Sequence, residues 1–208
     1  MTAEDILSNE DFKKCVDFHG HICPGLAIGY RASMAALDWL KEDRAVDEEM
    51  VAYVETDACG TDAVQVLTGC TFGKGNLIQK HHGKHVYTLV SRKSGEGIRV
   101  ALKAGALELS ERHQELVQKL TGGEATPEDL KEFWALHHQK SHDILVKPLK
   151  DLFSIKTSHI AVPPKAMIEP SRLCECCGEP TMVSKLIETD GRSMCRECSD
   201  HDYRPVAE

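Results

Sequence analysis

Four cysteines near the C-terminus constrain this chain more than any other feature. Two residues lie between Cys174 and Cys177 and two between Cys195 and Cys198, and 17 residues separate the pairs. That spacing belongs to a closed tetrahedral zinc site, because two intervening residues let both thiolates reach one ion from a single tight turn. Gly178 permits the reversal after Cys177. Cys176 competes for the place of Cys174, and the two-residue spacing favours Cys174. Residues 182–189 are rich in strand formers, Asp190-Gly191 is a two-residue hairpin signal, and residues 195–200 open a short helix. Knuckle, hairpin and helix start, in that order, describe a treble-clef finger. A segment this short buries too little apolar surface to fold alone, so zinc supplies the difference. Four protein ligands fill the coordination sphere and leave no position for a substrate.

The charge balance excludes the commonest use of such a finger. From Ser171 onward there are five Arg or Lys against eight Asp or Glu, and the whole chain of 208 residues carries a formal net charge of −8. A surface this acidic lacks the electrostatic attraction that carries nucleic-acid affinity. No nucleic-acid partner is expected. No apolar run approaches the length of a membrane span. The first residues are acidic and hold no signal-peptide core, so neither a membrane nor an export route is expected. Nine cysteines, four of them in a zinc pattern, fit a reducing cytoplasm better than a disulfide scaffold.

Length accommodates one full core, residues 1–165, and a small finger domain, 171–208, joined by the proline-marked stretch 163–170. Thr2 with Asp5 reads as a capping box, and Asn9 caps a helix over 10–18. Residues 26–41 carry apolar side chains at helical spacing, and 50–55 read as a strand. Residues 59–67 form an apolar helical face after cap-like Gly60-Thr61-Asp62. Strands are expected over 85–92, 98–102 and 153–162, and helices over 104–119 and 127–141, the last capped by Thr126 with Pro127 in its first turn. Strands and helices mix without regular alternation, which makes the fold class α+β.

The second informative segment is His19-Gly20-His21-Ile22-Cys23-Pro24-Gly25. Two imidazoles at i and i+2, followed by a thiol, place three metal-capable ligands on one loop. Pro24-Gly25 then opens a helix whose free N–H groups favour an anion or thiolate nearby. Downstream, Cys59 precedes another helix N-terminus. The run Gly69-Cys70-Thr71-Phe72-Gly73-Lys74-Gly75-Asn76 invites a phosphate-loop label, but positions 68 and 75 hold Thr68 and Gly75, which breaks that motif. An anion nest with Lys74 as countercharge is the remaining reading. His138 and His142, four apart on a charged helix, are read as an incidental pair.

Together, the His19–Gly25 motif and the segment from Glu55 through Cys59, Asp62, Cys70 and Lys74 to Leu77 closely resemble the FmdE family. That family takes its name from one component of formylmethanofuran dehydrogenase, a molybdenum or tungsten enzyme of methanogenesis. The resemblance spans roughly residues 10–160. It implies an α+β core and a homodimer, with molybdenum or tungsten enzyme subunits as partners and a C-terminal treble clef in some branches. It places His19, His21 and Cys23 on the first family motif and Cys59, Asp62, Cys70 and Lys74 on the second. The expected active site is built from His19, His21, Cys23, Cys59 and Asp62, with Cys70 and Lys74 as cofactor-binding residues. His19, His21 and Cys59 are the expected ligands of a second metal ion in the core, beside the structural zinc, and Asp62 is its proton-transfer or supporting group.

The corresponding function is a metal-dependent accessory subunit or enzyme of one-carbon or formate-type metabolism. The alternatives are a metal-carrier or interaction module without turnover, and a thiol redox protein using Cys23, Cys59 or Cys70. No iron–sulfur spacing or molybdopterin motif is recognisable.

Overall fold

A computed structural model describes residues 2–200, so the last eight positions of the expected finger domain, 201–208, lie outside the described residues. The chain divides into two compact units with the boundary between Lys165 and Ala166. The larger unit mixes helices with a five-stranded sheet and is α+β.

The larger unit begins with α1 (Ala3–Leu7), closed by the Thr2/Asp5 capping box, and α2 (Glu10–His19), capped by Asn9. After the histidine loop comes α3 (Pro24–Leu40). Its N-cap is a cysteine: Leu26 N–H donates to Cys23 Sγ at 3.3 Å, and Pro24 contributes a preset φ at the first position. Then follow β1 (Met50–Val54), α4 (Gly60–Thr68), β2 (Leu77–Gln79), β3 (Val86–Ser91) and β4 (Gly97–Leu102). The chain continues through α5 (Glu111–Thr121), α6 (Pro127–Val146), the single turn α7 (Leu149–Leu152) and β5 (Phe153–Ser158).

Strand order is β2-β1-β3-β4-β5, with β2 parallel to β1 and the other pairs antiparallel. Alternate side chains of one face, Ala52 and Val54, Tyr87 and Leu89, Ile98 and Val100, enter the main core with Leu26, Ile28 and Leu145 from the helices. Each fully buried aliphatic side chain of this set contributes about 1.5–3 kcal/mol. The opposite face holds Val51, Tyr53 and Val90, packed with Ile78 and Val162. Tyr53 ties that cover down by donating its hydroxyl proton to the Ala161 carbonyl at 2.9 Å.

Two glycines let α3 and α4 approach each other more closely than side chains allow. A methyl on Gly29 would lie 2.1 Å from the Gly60 carbonyl oxygen and 2.5 Å from its Cα. One turn earlier, a methyl on Gly25 would lie 3.0 Å from Cys59 Cβ. The first turns of both helices, and the cysteines that precede them, are thereby brought together. At the other end of the core, the half-buried Arg31 guanidinium donates to the carbonyls of Ile144, Leu145 and Lys147. It satisfies the terminal acceptors of α6 and fixes that helix against α3.

β2 and α7 were not expected, α6 runs past its expected end at 141 to Val146, and two expected elements are shorter than the sequence reading. The helix expected over 104–119 starts only at Glu111, because Gly105 adopts φ +76° and Ser110 caps the chain there, accepting from His113 N–H. The strand expected over 153–162 ends at Ser158, and the segment beyond it is irregular.

In the smaller unit, β6 (Ser171–Leu173) pairs with β7 (Pro180–Met182), and β8 (Ile187–Thr189) pairs with β9 (Arg192–Met194). A short 3-10 turn spans Val183–Lys185, and α8 (Arg196–Ser199) follows the second hairpin. Asp190 and Gly191 both have positive φ, 53° and 75°, as a two-residue primed turn requires. No helix among the described residues is long and apolar enough to cross a membrane.

Candidate metal centre

Two clusters of metal-capable side chains occur among the described residues, one in each unit. In the smaller unit, the sulfurs of Cys174, Cys177, Cys195 and Cys198 lie within 4.8 Å of one another. A tetrahedral zinc tetrathiolate needs sulfurs about 3.8 Å apart, so the set fits such an ion. Backbone donors already point at one ligand: Cys195 N–H and Cys176 N–H reach Cys174 Sγ at 3.3 and 3.5 Å. The Cys195 amide, followed by that of Cys177, holds the Cys174 thiol below its ordinary range and favours the thiolate a metal requires. Cys174 is buried in this cluster and Cys176 is exposed. The buried residues of the unit's small core, Cys174, Met194 and Cys198, pack with Cys177 and Cys195, so the core consists mainly of the ligands themselves.

In the larger unit, ligand atoms of His19, His21 and Cys23 also lie within 4.8 Å of one another. His19 ends α2, His21 follows Gly20 in the left-handed conformation, and Cys23 caps α3, so three element boundaries converge here. His19 Nδ1 and Asp62 Oδ2 are 2.7 Å apart. This contact directs Nε2 toward the cluster, where it stands 3.6 Å from Cys23 Sγ. A tetrahedral ion bound by one imidazole nitrogen and one thiolate separates those atoms by about 3.6 Å. A carboxylate on the far nitrogen of a ligating imidazole is the usual supporting contact in metal sites. The His19 and His21 rings stand 4.5 Å apart, centre to centre. Partial desolvation of this exposed ring, then His19 and His138, lower the His21 pKa, which favours the neutral form that ligates.

Cys59 adjoins the cluster through Cys23. Burial is the main influence that raises the Cys23 pKa, and hydrogen bonding and charge from Cys59 add to it, against the Leu26 amide. Of the expected ligands His19, His21 and Cys59, the structure groups the two histidines with Cys23 and sets Cys59 beside that group. Asp62 reaches the group through the far nitrogen of His19.

Cys70 and Lys74 are not brought to this cluster. From Asp62, α4 runs about 9 Å further along its axis to Thr68 before the loop that carries them begins. The buried Cys70 thiol donates to the Met50 carbonyl at 3.4 Å, and Lys74 Nζ donates to the Asp47 carbonyl at 2.9 Å. Both side chains bind the glycine-rich loop to the segment leading into β1.

Sequence reasoning missed the wall that α6 contributes. Trp134 packs edge-on against His21 at 5.8 Å and lies 6.2 Å from His138, while His137 stacks on Phe133. The buried His113 of α5 meets His137 at 3.2 Å between ring nitrogens. Burial, then the charges of His113 and His21, lower the His137 pKa to about 4. The run Phe133-Trp134-x-x-His137-His138 was the available signal, since it is an aromatic and imidazole stripe at helical spacing.

Residues 18–154 match the model of the FmdE family, described as "FmdE, Molybdenum formylmethanofuran dehydrogenase operon". The chain belongs to the FmdE family. Both motifs of the core cluster fall inside the matched region. This FmdE-family chain is 34% identical over 200 residues to a probable S-adenosyl-L-methionine-binding protein of Archaeoglobus fulgidus, covering 91% of the chain and 52% of that relative. The chain therefore spans about half the length of the relative it matches. It is also similar to the crystal structure of a tungsten formylmethanofuran dehydrogenase FmdE-like protein from Syntrophus aciditrophicus. Their TM-score is 0.62 at 26% identity, with 99% of this chain and 100% of the other covered.

Proposed function

We propose that this FmdE-family chain is a metal-binding accessory subunit of a formylmethanofuran- or formate-type oxidoreductase, and that the His19–His21–Cys23 cluster is its reactive centre. The observation that carries this reading is the His19–Asp62 contact of 2.7 Å, which orients one imidazole toward a second imidazole and a thiol. The name of the Syntrophus relative and the family description supply the reaction class. A bound metal would supply Lewis acidity at this cluster. The residues themselves would hold and orient it: His19 through Nε2, His21 through either nitrogen, Cys23 through sulfur, with Asp62 fixing the His19 tautomer. Cys59 stands ready as a further sulfur ligand, and Trp134 with His138 would border the approach from the α6 side. Cys174, Cys177, Cys195 and Cys198 would hold a structural zinc apart from this chemistry. A homodimer and a cytoplasmic setting complete the proposal.

Reconstitution tests it. The full chain is added to a molybdenum or tungsten formylmethanofuran dehydrogenase that lacks this component, and dye-coupled oxidation is followed. The wild-type chain should raise the rate, and His21→Ala should lose at least nine-tenths of that effect. Equal stimulation by both proteins contradicts a reactive role for the cluster, and no stimulation by either contradicts the accessory role.

The exposure of His21 favours a second reading, a carrier that passes its ion to a partner. A ligand open to solvent exchanges readily. Rapid loss of one metal to a chelator, together with full transfer to an apo-dehydrogenase and no effect on turnover after loading, would select the carrier.

A further inference from the structure

A cavity of about 330 Å³ lies between α1, α3 and the end of α6, with Ile6, Met34, Leu145, Val146 and Pro148 as its apolar wall. Its charged lining residues are Arg31 and Lys147, and no Asp or Glu lines it. Neither cation forms a salt bridge among the described residues, in a chain whose formal net charge is −8. Arg31 directs Nη1 to the Ile144 and Leu145 carbonyls and Nη2 to the Lys147 carbonyl. A guanidinium carries five N–H groups, so the one at Nε and the second at Nη2 are left over. The Nε atom is not among the fully enclosed polar atoms that lack a partner, so a ligand can reach it. Burial lowers the Arg31 pKa, and the ionisable neighbour that counters this is Tyr30 rather than a carboxylate. The end of α6 sets about half a negative charge against the two cations, which leaves the cavity electropositive.

We propose that this cavity is a binding site for a small organic anion with a carboxylate head and a short apolar tail. The carboxylate accepts from the two unused N–H groups of Arg31 and pairs with the Lys147 ammonium, and charge-assisted bonds of this kind are the strong ones. The tail lies along Ile6, Met34, Leu145 and Val146. At about 30 Å³ for each water-sized unit, the cavity takes roughly ten non-hydrogen atoms. An inorganic anion would leave the apolar wall uncovered, and a hydrocarbon would strip water from the cations without replacing it. A carboxylic acid of about five to eight carbons meets both demands. Arg31 stands about 12 Å along α3 from Cys23, and none of His19, His21 and Cys23 lines the cavity. The site is therefore separate from the core cluster and independent of any ion held there.

Calorimetric titration of the full chain with hexanoate and with benzoate tests the proposal, with hexan-1-ol and hexylammonium as the neutral and cationic counterparts. At least one carboxylate should saturate a single site in the millimolar range or below. The alcohol and the amine should bind about tenfold more weakly or worse, since neither can accept from Arg31 as an anion does. Added salt should weaken the carboxylate and leave the alcohol unchanged. Lys147→Gln should weaken carboxylate binding about fivefold, the upper range for a solvent-open ion pair. Val146 is 47% exposed at the cavity edge, and Val146→Glu should abolish binding by setting a fixed carboxylate beside the two cations. Arg31 itself secures α6, so it is followed in the wild-type protein: its Nε–H proton resonance should move downfield with the carboxylate and stay in place with the alcohol. Saturation by neither carboxylate, or equal binding of hexanoate and hexan-1-ol, overturns the proposal. Wild-type affinity in both variants overturns it, as does carboxylate binding that leaves the Arg31 resonance unmoved.

Discussion

The Cys198→Ser chain should lose one equivalent of zinc and, with it, the fold of residues 166–200. The amides of β8 and β9 should then exchange at unprotected rates, while those of β1, β3 and β4 keep their protection. The size of the effect follows from what the smaller unit buries. Its buried cluster is two cysteine ligands and Met194, and its large apolar side chains Met167, Ile168 and Leu173 are exposed. Such a unit has almost no hydrophobic stabilisation of its own. Binding of a structural zinc is worth about 10–16 kcal/mol in comparable peptides, and nothing else in residues 166–200 replaces it. Hydrogen exchange with zinc analysis decides the matter, and persistent protection of β8 and β9 without metal would contradict this account of the finger.

The second large effect concerns the helix crossing that assembles the core cluster. Gly29→Ala places a methyl 2.1, 2.5 and 2.6 Å from the Gly60 carbonyl oxygen, Cα and carbonyl carbon. These are backbone atoms in the first turn of α4, so no rotamer change relieves the clash, and α3 must move away from α4. Overpacking of this kind costs about 3 kcal/mol or more, which lowers the melting temperature by roughly 6–12 °C in a chain of this size. The same movement draws Cys23, on α3, away from Cys59 and Asp62, on α4. Core metal affinity should therefore fall together with stability. Gly73→Ala is the control, because nothing lies within 4 Å of the added methyl and its φ is not left-handed. Its melting temperature should stay within a few degrees of wild type. Equal melting temperatures for the two variants would contradict the crossing.

The finger and the two cysteine N-caps were legible because their chemistry is local. Spacing of two residues between cysteines, a primed turn at Asp190-Gly191 and a proline after Cys23 each act over a few positions. The core cluster was only half legible. His19, His21 and Cys23 are neighbours in the chain, but Asp62 is 43 residues from His19, and only the family resemblance brought the two motifs together. The α6 wall is more distant still: the stripe of Phe133, Trp134, His137 and His138 marks one face of a helix, and nothing in its spacing says that His21 lies against it. Cys70 and Lys74 show the converse: their loop resembles a ligand site, yet both side chains bind backbone carbonyls. The late start of α5 has a local cause, since glycine at 105 and serine at 110 are a turn and a cap within a helix-favouring composition.

The central claim is that the body of the molecule holds an ion at His19, His21 and Cys23. Metal analysis of the anaerobically purified full chain, beside the His19→Ala/His21→Ala variant, tests it most directly. Two equivalents in the wild type and one in the variant are expected, with the remaining equivalent held by the finger cysteines. One equivalent in both proteins, or two retained after both imidazoles are gone, would contradict it.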